Sequence, residues 1–181
     1  MPGVVVRDES AWLATLRALD EPGEPGQSAG LEFPRGFDVA ATQLRFERLS
    51  ARLSEVFGCR LDGGTGPCQD AALFGEIRIP PEFTVTRAKR SRIRFPVIVA
   101  VSNFGDLATC RAGQDSVSPD TLTSAAPPVH PEDRGRVEQV LNELGYLFVP
   151  ADVLETRYDG PNQWVFSDSH ASWFIRYFSF L

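Results

Sequence analysis

Asp168 and His170 sit among Ser167, Ser169 and Ser172, the residue types of a serine-hydrolase triad. Such a triad works only when nucleophile, base and orienting acid converge from separate elements. Close neighbours along one stretch do not meet that geometry, and the chain has no G-x-S-x-G elbow. The stretch reads instead as a polar turn. His130 precedes Pro131 and suits a helix cap or a solvent-exposed position. Cys59, Cys68 and Cys110 form no C-x-x-C pair, and His130 and His170 are too few to complete a Cys/His zinc site. Cys110 follows an apolar run and reads as a small buried side chain. Cys59 and Cys68 flank a Gly-rich loop, and a bridge between them would suit an oxidising compartment. No catalytic residue, metal or cofactor is expected.

Two constellations suit binding. The first is acidic and aromatic: Asp152, Glu155, Asp159 and Asp168 lie in the same third of the chain as Tyr158, Trp164, Phe166 and the closing aromatic run. "DVLETRYDG" lacks the dense aspartate spacing of a calcium loop, so a solvated acidic surface is the better reading. Such a surface can dock a basic protein. Most of the aromatics must be core. Trp164, in the loop-like "DGPNQWVF", is either buried with them or an exposed anchor of the kind common at interfaces.

The second constellation is basic. "TRAKRSRIRF", residues 86–95, holds five basic residues, Arg87, Lys89, Arg90, Arg92 and Arg94, in a chain of net charge −6. The remainder carries 13 basic against 24 acidic residues. That field disfavours nucleic acid and anionic membranes and favours basic partners. The stretch also alternates straight into "VIVAVS", which puts Arg92 and Arg94 on one face of a strand. There they pair with acids of the same chain, or hold a phosphate or carboxylate substrate.

The elements around these groups follow from pattern. "ESAWLATLRALD" reads as a helix capped by Asp8 or Ser10, and Val4–Val6 as a short strand before it. Residues 37–58 form the longest helix, with Asp38 as cap, Leu49, Leu53, Val56 and Phe57 on its apolar side and Gly58 as its stop. Its charged residues read as a solvated face. "ALFGEIRI" is a strand ended by Pro80-Pro81, and "EFTV" reads as the continuation of an edge after it. A hairpin from 92 to 110 turns at "NFGD". Pro131 opens another helix, with Val137, Val140, Leu141 and Leu144 in one stripe and Gly145 after it. "YLFV" is a short buried strand, "ADVLETRY" one or two helical turns, and "SWFIRYFSFL" an interior strand. Residues 21–36 and 113–130 are Pro/Gly-rich or polar and unpatterned, and read as mobile loops.

The whole predicts a single α+β domain over 1–181: one mainly antiparallel sheet of about four to six strands with two or three helices packed on one face. No apolar run reaches membrane-spanning length and no secretory signal opens the chain, so a cytoplasmic location is expected. The oligomeric state is not set by these features.

"LGYLFVPADVLETRYDG" followed by "SWFIRYFSFL" resembles small actinobacterial proteins of unassigned function. The order helix, short strand, proline, acidic helix and Tyr-Asp-Gly is also similar to segments of SUKH-type immunity proteins. That resemblance implies a compact α+β protein that binds and neutralises a toxin domain. Three functions therefore stand: a non-enzymatic protein-binding protein, in its narrower form a toxin-neutralising immunity protein; a small enzyme built on Arg92 and Arg94; and a structural accessory subunit.

Overall fold

A computed structural model describes residues 8–27, 29–65, 72–87, 94–113, 127–166 and 171–179. The expected Val4–Val6 strand lies outside them. Helix α1 spans Glu9–Leu19, and the Asp8 carboxylate caps it by accepting from the Ala11 N–H. Helix α2 spans Val39–Phe57, capped by Asp38 and ended by Gly58 in the left-handed region at φ 68°. Strands β1 (Gly63–Thr65) and β2 (Leu73–Ile79) precede the hairpin of β3 (Val97–Ser102) and β4 (Leu107–Ala112). Helix α3 covers Pro131–Glu143, β5 Leu147–Phe148, α4 Ala151–Leu154 and α5 Trp173–Phe178.

The five strands form one sheet in the order β1-β2-β3-β4-β5. The first four pair antiparallel, and β5 joins β4 in parallel. The α+β, mainly antiparallel architecture is the expected one. Period-two alternation along β3 sorts its side chains between two layers. Val97, Val99 and Val101 face Leu49, Leu53 and Phe57 of α2 and Val137, Val140 and Leu141 of α3. Ala100 faces the opposite layer, where Trp12, Leu16, Val153, Leu154, Trp173 and Tyr177 gather.

That second layer corrects the expectation of helices on one face only. Helices α1, α4 and α5 cover the other face, because β3 is buried on both sides at every position. A second correction concerns the C-terminus. "SWFIRY" begins a helix, not a strand: the Ser172 hydroxyl caps α5 by accepting from the Ile175 N–H. A segment buried on all sides shows no periodicity that separates strand from helix. A third concerns "EFTV", where Pro81–Phe83 forms a 3-10 turn in place of an edge strand. Among the described residues, the hairpin expected from 92 starts its ladder at Val97, and Arg94 forms an isolated bridge with Arg87 before it.

Among the described residues of 21–36 there is no helix or strand beyond an isolated Ala29–Phe33 bridge, but the segment is held at several points. The Gly23 N–H donates to Asn162, and the Glu32 carbonyl accepts from the Asn103 amide. Two glycines make room for the Phe46 ring of α2. A Cβ at Gly63 would sit 2.6 Å from the Phe46 ring, and one at Gly75 would sit 2.9 Å from it. Charged residues expected to be merely solvated also link elements. Arg52 bridges Glu55 and Glu143, tying α2 to α3, and Arg45 pairs with Asp106 at the β3–β4 turn.

Candidate functional site

The acidic-aromatic segment is built on a buried polar latch. Arg176 projects from α5 into the interior with no exposed surface. Its Nε donates to Asp20 Oδ1 at 2.7 Å, and its two terminal nitrogens donate to the carbonyls of Leu31 (2.9 Å) and Gly30 (2.8 Å). The guanidinium lies 4.6 Å from the Phe104 ring centroid and 5.1 Å from that of Tyr177. The second oxygen of Asp20 accepts from the Tyr158 hydroxyl, and Asn162 Nδ2 donates to the first at 3.0 Å. The Asn162 N–H in turn donates to the Tyr158 hydroxyl at 2.9 Å. Every polar group of this cluster has a partner, as buried polar groups must. Burial, and then the bond to Asp20, push the Tyr158 hydroxyl well above the usual phenol range.

The latch fixes the turn that carries the predicted residues. Tyr158 stacks edge-on against Phe166 and Trp173. Gly160 is required here, since a Cβ would meet the Asp20 carboxylate at 2.0 Å. Trp164 follows in a short 3-10 turn, Gln163–Val165, and is 51% exposed. Of the two readings of Trp164, the exposed one is observed.

Asp159 is on the surface but not free. Arg17 of α1 grips it through two bonds, 2.6 and 3.1 Å, and that hydrogen bonding holds its carboxyl below the usual carboxylate range. Asp152 and Glu155 are exposed at α4, in the same layer, and neither forms an ion pair with a described residue. Asp168 lies outside the described residues, as do His170 and Arg92. Arg94 is exposed and donates to the Glu82 carbonyl at 3.1 Å, and it forms no ion pair with an acid among the described residues.

The remaining candidates are structural. His130 caps α3, its Nδ1 accepting from the Glu132 N–H at 3.2 Å. Among the described residues no group of three or more His, Cys, Asp or Glu is placed to hold a metal ion. Nor is any described helix long and apolar enough to cross a membrane. Cys59 is half-buried and carries a free thiol, and Cys110 is buried. Desolvation pushes the Cys110 thiol up to about 12. At pH 8 only about one such thiol in ten thousand is ionised. A thiol-specific disulfide reagent should therefore leave Cys110 unmodified in the native chain and label it on unfolding, read by peptide mass mapping.

Two buried groups escape sequence reasoning. Arg176 is visible as the lone charge in an apolar run, but nothing local names Asp20 as its partner. Asp133, completely buried near the start of α3, accepts with one oxygen from the Val85 N–H (2.9 Å), the Thr86 N–H (2.8 Å) and the Thr86 hydroxyl (2.6 Å). It pins the base of the Arg-rich segment to α3. Comparison with protein families, with characterised proteins and with solved structures finds no match to this chain.

Proposed function

We propose that this chain is a non-enzymatic protein-binding protein, with Trp164 as the anchor of its docking face and Asp152 and Glu155 as the charges that steer a basic partner to it. The observation that carries this reading is a half-exposed Trp164 on a turn whose neighbours Tyr158 and Asn162 are locked into the buried latch. A large aromatic held rigid in the free protein loses little entropy on docking, which is what a hot spot requires. Carboxylates without an internal partner speed encounter with a basic surface, and the aromatic contact slows release. The narrower form of the reading is an immunity protein that neutralises a toxin domain, in line with the resemblance of this segment.

The test is surface plasmon resonance, which reads association and release separately, of the products of the genes beside its own over the immobilised chain. Trp164→Ala should weaken binding at least tenfold, mainly through faster release. Asp152→Lys with Glu155→Lys should slow association and flatten its salt dependence. Binding that is indifferent to all three changes, or no binding by any such product, would sink the reading.

A further inference from the structure

Strand β1 is the outermost strand of the sheet, and its far edge has no strand partner among the described residues. It opens with Gly63-Gly64, two positions that present backbone alone. Native edges are usually blunted by a charge, a proline or a covering element, because their unpaired N–H and C=O groups accept any extended chain. Neither glycine supplies such a guard. Beside this edge runs an open groove of about 360 Å³, between β1 and α2. Ala51 is its exposed apolar side chain, over the buried Phe46 and Leu61, and its charged lining consists of Glu47 and Asp62, with no basic side chain.

The groove wall is held in place. The Ser50 hydroxyl donates to the Leu61 carbonyl at 2.8 Å, and the Ser54 hydroxyl accepts from the Leu61 N–H at 3.1 Å. The chain entering β1 is thus fixed to α2 before any ligand arrives. Asp62 does contact Arg60 at 3.3 Å, but both side chains are more than four-fifths exposed, a pair that exchanges readily with water or a competing cation.

We propose that the β1 edge and this groove accept an extended basic peptide segment by strand addition. The backbone of the incoming segment pairs with the glycine edge. Its alternate side chains fall on the groove side at the period-two spacing of a strand. A small apolar side chain meets Ala51, and flanking arginines or lysines meet Glu47 and Asp62. This surface is separate from Trp164 and stands or falls independently of the docking face described above.

The experiment uses the full chain and a fluorescently labelled, end-blocked octapeptide alternating Arg and Val, followed by anisotropy. Binding is expected to weaken at least tenfold for the Glu-Val counterpart, and equally for an Arg-Val peptide N-methylated at alternate residues, which removes backbone donors without touching the protein. Glu47→Lys with Asp62→Lys should cost at least tenfold, and Trp164→Ala less than twofold. Absence of binding, a loss below tenfold on N-methylation or on the charge reversal, or a β1–β1 dimer in sedimentation that excludes the peptide, would overturn the proposal.

Discussion

Replacing Arg176 with Met lowers the unfolding free energy by about 3–5 kcal/mol, because it strands a buried carboxylate without its cation. For a chain of this length that corresponds to a fall of about 6–20 °C in thermal midpoint. The change removes the Asp20 ion pair and leaves the Gly30 and Leu31 carbonyls without their donors. Asp20→Asn should cost less, since an amide keeps one acceptor oxygen for Tyr158 or Asn162. The double variant should be more stable than the sum of the two losses predicts, by at least about 1 kcal/mol, the mark of a direct coupling. Chemical denaturation of the four chains measures the cycle. A loss below about 1 kcal/mol for Arg176→Met would show that the latch contributes little to the fold. The same variant should loosen the turn bearing Trp164, so its indole emission should shift to the red in the folded chain.

Asp133→Ala is the second large effect, a loss of about 2–4 kcal/mol. It leaves the buried Thr86 N–H, the part-buried Val85 N–H and the Thr86 hydroxyl without the one oxygen they share. Thr86 also accepts from the His130 N–H at 3.0 Å, so the start of α3 is disturbed with it. Asp133→Asn, which retains an acceptor, should be milder. A local readout separates this clamp from general destabilisation. Trypsin should cut after Arg87 or Arg94 at least tenfold faster in Asp133→Ala than in a core variant of equal global stability. Equal rates in the two variants would mean that Asp133 does not hold this segment in place.

Features spanning a few residues were legible from the chain alone. Asp8, Asp38 and His130 as caps, Gly58 as a stop, and the Val137, Val140, Leu141, Leu144 stripe all depend on neighbours within one or two helical turns. The β3–β4 hairpin was equally readable, because alternation and a tight turn specify it locally. The acidic-aromatic segment was recognisable as a surface candidate, yet its members divide. Asp159 is committed to Arg17, while Asp152 and Glu155 are exposed with no such partner among the described residues.

What local pattern left open is of a different kind. "SWFIRY" has apolar residues on every side, so its helical form depends on the space left between α1, α4 and the sheet. That same space places helices on both faces. The exposure of Trp164 follows from the turn at Asn162, which is set by Asp20 from 142 positions away. Arg176 meets Asp20 across 156 positions and Asp133 meets Thr86 across 47. The amino-acid sequence by itself determined the long helices with their caps, the central hairpin and the acidic balance, since those rest on local geometry and counting. Only the tertiary structure decided which charges are buried against each other and which aromatic stays in water, because a buried charge is tolerable only where distant backbone brings its partner within hydrogen-bonding reach.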